Sequence, residues 1–560
     1  MKKSLVIALS LIISASIQAA DFETATEAVK NMGLGWNLGN TLEANSQSET
    51  DMTKDAYWGQ QGLESETCWG QYVTKPELLK MMKDAGFGVI RVPVTWYNHM
   101  DKDGNVDAAW MNRVHEVVDY VINQGMYCIV NVHHDTGADG ESFKSWLKAD
   151  ETYYNNNKTR YEKLWKQIAE EFKDYSQLLL FESYNEMLDT QNTWNYPKNS
   201  TAYSAINKYA ESFVTTVRAT GGNNAQRNLI VNTYCAGNGY GTWTNTDPLT
   251  KLNIPTGESN HIAFEVHAYP SITDGTTDKT ITTIKTETDG LISTLKNNLA
   301  SKGAPVIIGE WGTSNVDSQD NNDYDKRRDL MFQFAEYFVQ KCKENDIATF
   351  YWMGITDGAS RLFPAFSQAD LAKTILQAYH GKDFNPTLPE RSDYNNTCIS
   401  ATVNYNQQWG EFNLYTGSFS RKDYRTIELE LAEAPESDLL HFKVYGSTEP
   451  TTNINAATST LTITNQMGTI TRITLQCKKT SGTVTVKNIW LVKGDGTKVP
   501  SDPSVFWGCT MSNVSLSTGI KNIINDITTA DDRIYNLQGQ QLAKPQKGIY
   551  IQSGKKYYNK

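Results

Sequence analysis

The stretch GVIRVPVTWYNHMDKDGNVDAAWMNRVHEVVDYVINQGMYCIVNVHHD, residues 88–135, decides the fold. It holds two apolar runs, VIRVPV (89–94) and YCIVNVHH (127–134), on either side of a helical pattern. Both runs are nearly continuous in apolarity and rich in β-branched residues, as parallel strands buried on both faces are. Between them Trp110, Val114, Val117, Val118, Val121 and Ile122 recur at helical spacing over Val106–Gln124, and Gly125 supplies a stop.

Outward from this unit the pattern repeats. Further runs are GLGWNLGN (33–40), LLLFESYN (178–185), NLIVN (228–232), HIAFEVHAY (261–269), PVIIGE (305–310) and TFYWMG (349–354). A second helical pattern, Lys75–Asp84, has Leu78, Leu79, Met81 and Met82 on one side and Gly86 after it. Eight such strand–helix units predict an α/β fold, a (β/α)8 TIM barrel. The other candidate, an open doubly wound sheet, usually carries G-x-G-x-x-G after its first strand, and none is present there. Beyond Pro386 helical periodicity gives way to short strands such as TIELEL, HFKVYG, STLTIT, RITLQC and TVTVKNIWLV, which predict an all-β sandwich.

Four segments follow. Residues 1–20 have a signal-peptide layout, with Lys2 and Lys3, an apolar core Leu5–Ile17, then Ala19 and Ala20. Residues 21–386 form the barrel, 387–515 the sandwich, and 516–560 a linker and tail. No later segment is long and apolar enough to span a bilayer. The net charge of -11 argues against a nucleic-acid partner, which needs a basic face. Aromatic residues make up 11%, with 14 Trp and 29 Tyr, enough for sugar-stacking platforms or simply for core. The seven cysteines are scattered and lack C-x-x-C spacing, so neither a zinc site nor a disulfide scaffold is expected, although Cys398 and Cys509 could pair.

In such a barrel the C-terminal strand ends converge on one site. They carry Arg91, His133, Asn185 with Glu186, His267 with Tyr269, Glu310 and Trp352. Two carboxylates, Glu186 and Glu310, suit glycosidic-bond hydrolysis, which needs one acid and one ionised carboxylate. Arg91 is placed to keep Glu310 charged. Tyr269 can donate to the nucleophile, and His267 can tune the acid. His133, His134 and Asp135 invite a metal reading, but adjacent strand residues point to opposite faces, so no metal and no cofactor is expected.

The ordered motifs GWNLGNTLEA, ETCWG, VIRVPVTW, IVNVHHD, LLFESYNEM, VHAY, VIIGEWG and FYWM resemble glycoside hydrolase family 5 over roughly residues 30–380. Where that family commonly has Asn-Glu-Pro, Met187 follows Glu186 here. The resemblance implies Glu186 as acid/base, Glu310 as nucleophile and Asn185 on the sugar 2-hydroxyl. Arg91, His133, His267 and Tyr269 would organise the carboxylates, Trp352 would stack under the sugar, and His134 and Asn37 would contact subsites. Trp69 and Trp96 either line the groove or pack in the core. The implied activity is a retaining endo-β-1,4-glucanase acting as a monomer on a β-glucan; xyloglucanase, mannanase, xylanase and a noncatalytic glycan binder are the alternatives. The sandwich resembles accessory or carbohydrate-binding modules, with Trp409, Tyr445, Trp490 and Trp507 as platform or core residues. The ending IYNLQGQQL…KPQKGIYI…GKK resembles a type IX secretion sorting tail, implying a secreted or cell-surface protein.

Overall fold

The computed structural model describes residues 22–45, 58–139, 145–241, 245–258, 260–274, 277–312, 321–352 and 354–518, together with four short strands of the tail. The signal-peptide reading of residues 1–20 lies outside the described residues. The chain divides into two compact units, Met1–Arg391 and Ser392–Lys560.

In the first unit eight parallel strands close into a barrel: β1 (Gly35–Asn37), β2 (Val89–Val92), β3 (Tyr127–Asn131), β4 (Leu179–Glu182), β5 (Leu229–Asn232), β6 (Ile262–Ala268), β7 (Val306–Trp311) and β8 (Ala348–Trp352). Strand β1 pairs with both β2 and β8, which completes the ring. The TIM barrel read from the apolar runs is thus the observed fold. Helix Pro76–Ala85 ends on Gly86 at φ +117°, a left-handed position that glycine adopts without strain. Helix Ala108–Ile122 starts on an Asp107 side chain that accepts from the backbone N–H of Ala109 and Trp110.

The two-residue period of a strand sorts side chains into an outer and an inner set. Outward residues such as Val130, Phe181, Val231 and Ile308 pack against the helices. Inward residues Val89, Ile129, Leu180, Ile230, Ala263, Ile307 and Phe350 fill the barrel's lower end against Ala25, Ala28 and Val29 of a short helix, Ala25–Asn31, that plugs it. One step up six of the eight strands the inward residue turns polar: Asn37, Arg91, Asn131, Glu182, Asn232 and Glu265, all 0% exposed. The next step up is the mouth.

The second unit is an antiparallel sandwich. Its strands are β9 (Thr397–Tyr405), β10 (Glu411–Phe419), β11 (Thr426–Leu431), β12 (Leu440–Tyr445), β13 (Thr451–Ile454), β14 (Thr458–Thr462), β15 (Ile470–Cys477), β16 (Gly482–Val492), β17 (Lys498–Pro500), β18 (Ser504–Trp507) and β19 (Cys509–Thr518). One sheet runs β14-β11-β16-β9-β19 with β17 on β16; the other runs β13-β12-β15-β10-β18. Cys398 and Cys509 are both free thiols, set at opposite ends of the β9–β19 ladder. In the tail, strands 541–542, 534–535, 548–552 and 555–559 pair antiparallel. Among the described residues, no helix is long and apolar enough to cross a membrane.

Candidate active site

The polar layer below the mouth is organised by Arg91. Its Nε donates to Glu182 Oε2 at 2.7 Å and its Nη2 to Glu182 Oε1 at 2.8 Å, a bidentate pair inside the barrel. Nη2 also reaches Asn185 Oδ1 at 2.8 Å, and Nη1 reaches Glu310 Oε1 at 2.8 Å and Asn37 Oδ1 at 3.0 Å. A third carboxyl, Glu265 Oε1, lies 3.4 Å from Nε. Buried charge is tolerated only when paired in this way. Burial raises the Glu182 carboxyl, but the Arg91 charge and hydrogen bonds reverse that and hold it below the usual carboxylate range. Burial and the Glu182 charge push Glu265 up, against Arg91 and His267.

Asn37 was expected at a subsite. Its side chain is instead sealed under the site, with Nδ2 donating to Gly309 O at 2.9 Å and Oδ1 accepting from Arg91, so it braces the guanidinium and the barrel wall. Trp96 is likewise 0% exposed and bonds Asn131 O through Nε1 at 2.9 Å, which places it in the core.

A β-bulge aims Glu310. Along the β6–β7 ladder Val266 faces Ile308 and His267 faces Glu310, which leaves Gly309 as the extra residue. A bulge re-aims the following side chain, here into the mouth. Gly309 must be glycine, because a Cβ there would meet Glu265 Oε1 at 1.7 Å. Glu310 is then held at both oxygens: Oε1 by Arg91 and Oε2 by Tyr269 Oη at 2.8 Å. Only 7% of its side chain is exposed, against 23% for Glu186.

Glu186 follows β4 in a turn whose Asn185 N–H bonds Val132 O at 2.9 Å. Met187, in the place of the family's common proline, is fully buried and its carbonyl accepts from Cys235 N at 3.0 Å. Glu186 Oε1 lies 2.8 Å from His267 Nδ1, and His267 Nε2 lies 3.3 Å from Glu265 Oε1. Burial alone would lower the His267 pKa. The Glu310 charge and the hydrogen bonds with Glu186 and Glu265 lift it to about 10, so the ring is cationic at neutral pH. One oxygen of Glu186, one of Glu310 and a His267 nitrogen all lie within 4.8 Å of one another.

A line of rings continues from this centre. His133 lies parallel to Trp352 with centroids 6.0 Å apart. His134 meets His133 edge-on at 4.6 Å and Trp69 at 5.3 Å. Burial lowers both imidazoles, His134 to about 4, so they are neutral near pH 7. Asp135 is committed elsewhere: it accepts from Trp96 N at 2.9 Å and Trp146 Nε1 at 2.6 Å. The His133–Asp135 run therefore does not converge on one point as a metal site would.

The structure thus brings His133, Asn185, Glu186, His267, Tyr269, Glu310 and Trp352 to one mouth, with Arg91 directly beneath it. Sequence reasoning missed the layer beneath, Asn131, Glu182, Asn232 and Glu265. Its signal was present: two residues before His133 and before His267 stand Asn131 and Glu265, inward positions in otherwise apolar runs.

Comparison with known proteins agrees with this geometry. Residues 50–357 match the family model described as cellulase, glycosyl hydrolase family 5. Endoglucanase B of Neocallimastix patriciarum is 32% identical over 367 residues, 64% of this chain and 71% of that protein. Endoglucanase A of Paenibacillus barcinonensis is 32% identical over 397 residues, 65% of this chain and 92% of that protein. Among solved structures, a GH5-4 broad specificity endoglucanase from an uncultured bacterium is 59% identical with TM-score 0.61, over 66% of this chain and 98% of that one. A family 5 enzyme from Prevotella bryantii B14, in complex with a xyloglucan tetradecasaccharide, is 38% identical with TM-score 0.55, over 64% of this chain and 99% of that one.

Proposed function

The chain belongs to glycosyl hydrolase family 5 and is an endoglucanase, and on that premise we propose that it cleaves internal β-1,4 linkages of a glucan by double displacement, with Glu310 as nucleophile and Glu186 as acid/base. The observation that carries this reading is that one oxygen of Glu186 and one of Glu310 lie within 4.8 Å of each other, with His267 Nδ1 2.8 Å from the first carboxylate and 3.4 Å from the second. Inverting enzymes leave about 6.5–9.5 Å for a water, whereas retaining ones close to about 5 Å.

The roles follow from the surroundings. Glu310, fixed at both oxygens by Arg91 and Tyr269, attacks the anomeric carbon. Glu186, the more exposed of the pair, gives its proton to the departing glycosidic oxygen as that C–O bond breaks. In the second step Glu186 takes a proton from water, the water oxygen bonds the anomeric carbon, and the Glu310 ester bond breaks. Cationic His267 stabilises the negative charge that shuttles between the carboxylates. Asn185, held by Arg91, binds the sugar 2-hydroxyl, and Trp352 offers its face to the ring. His134 and Trp69 extend the platform. These steps are carried by this chain's own residues, and the proposal takes it to act as a monomer.

The substrate backbone is a β-1,4-glucan, and the solved Prevotella bryantii complex favours xyloglucan as a second substrate of this chain. The layout of residues 1–20 and the ending of residues 516–560 support export, to the medium or the cell surface; fractionation of the producing cells tests this. Proton NMR of the first products tests the mechanism. The β anomer appearing first agrees with retention, and the α anomer first contradicts it.

A further inference from the structure

The outward face of the β13-β12-β15-β10-β18 sheet departs from the solvated outer face usual in a sandwich. His441, Gln476, Glu411 and Trp507 are successive cross-strand neighbours in one row. Their opposite-face neighbours Phe412, Phe442 and Leu475 enter the core. In the row, Glu411 is 5%, His441 3% and Gln476 8% exposed, far less than an ordinary surface would allow. Glu411 collects donors from Gln476 Nε2 at 2.7 Å, Thr474 Oγ1 at 2.9 Å, Tyr445 Oη at 2.8 Å and Lys443 Nζ at 3.1 Å. Neither nitrogen of the His441 ring completes a hydrogen bond, and neither does Asn413 Oδ1.

Beside these buried polar groups stand three exposed rings, Trp409 at 48%, Phe506 at 43% and Trp507 at 49%. Trp409 has φ +66°, a region that residues other than glycine seldom occupy, and such strain collects at ligand sites. Its N–H is pinned to Cys477 O at 2.7 Å, and its ring lies 6.4 Å from that of His441. The turns bearing Trp409 and Trp507 pack backbone to backbone, since a Cβ on Gly410 would meet Gly508 O at 2.4 Å.

We infer that this face is a second glycan-binding site, taking a neutral β-linked glucan chain. A sugar is apolar on its C–H face and hydroxylated at its edge. The exposed rings match the first, and the partly exposed Lys443 and Tyr445 beside them match the second. Burial lowers the His441 pKa, so the ring beside Trp409 is neutral. The Glu411 carboxylate is balanced by Lys443 Nζ at 3.1 Å, and a row without unpaired charge suits a neutral chain.

The test uses the full chain with Glu310→Gln, which prevents hydrolysis, titrated calorimetrically with cellohexaose. Two binding sites are expected. Adding Trp409→Ala and Trp507→Ala, both at exposed positions, should abolish one of them or weaken it at least tenfold. His441→Ala should weaken the same site, and melting curves report whether each variant is folded. A titration unchanged by the paired tryptophan substitutions overturns the inference. So does a site that takes polygalacturonate and not cellohexaose. Hydrolysis by the unsubstituted chain is a separate readout that fails only with the reading of the barrel.

Discussion

Arg91→Lys keeps the charge at the centre of the barrel and removes the fork. Arg91 makes its hydrogen bonds through three nitrogens, two to Glu182 and one each to Asn185, Asn37 and Glu310. A lysine ammonium has three donors on one nitrogen and cannot span Glu182 and Glu310 together. The deeper Glu182, 0% exposed, retains the cation, and Glu310 loses its Oε1 partner. A hydrogen bond to a charged group contributes roughly 1.5–3 kcal/mol. At about 1.36 kcal/mol per decade, kcat/KM on a soluble β-glucan should fall roughly 10- to 150-fold. The loss should lie mainly in kcat, since the interaction orients the nucleophile rather than the substrate. Tm should fall by a few degrees, on the order expected for one or two lost buried hydrogen bonds. Kinetics and melting of purified Arg91→Lys check this. A kcat/KM within twofold of the parent would refute the claim that Arg91 positions Glu310.

Three further outcomes are expected. Glu186→Gln should lose about a hundredfold less on an aryl glycoside with a good leaving group than on natural glucan, because such a group needs little protonation; equal losses on both would remove the acid assignment. The His267 ring keeps its proton to about 10 rather than the ordinary 6.5. Its contribution to stability is therefore complete below about pH 6.5 and disappears as pH rises through about 10. Urea unfolding should show the parent losing stability across that window and His267→Gln losing less; parallel curves would count against it. EDTA should leave turnover unchanged, because the Asp135 oxygens are occupied by Trp96 and Trp146; loss of activity restored by a divalent ion would reopen the metal reading.

The barrel was legible because each strand is buried on both faces, so its sequence is an apolar run broken only where the inner face turns polar. Those breaks located Arg91, His133, Glu186, His267 and Glu310. The buried layer beneath was less legible: Glu182 and Glu265 look like ordinary charged residues until the two-residue period is followed one step down from the mouth. The bulge at Gly309 is a matter of register between β6 and β7, which no single strand encodes. Asn37 and Trp96 share the apolar neighbourhood of true groove residues, and only packing shows that their polar atoms are spent on the barrel itself. In the sandwich, the exposure of Trp409 and Trp507 depends on two glycine turns meeting across the sheet edge, a contact between residues far apart in sequence.

The central claim, that Glu310 forms a covalent bond to the sugar, can be measured directly. The enzyme is incubated with a 2-deoxy-2-fluoro glucoside carrying a good leaving group, and the labelled peptide is located by mass spectrometry. One glycosyl label per chain is expected, on the peptide containing Glu310, absent after Glu310→Gln. A label on Glu186 or elsewhere would contradict it, as would turnover of the probe without any covalent adduct.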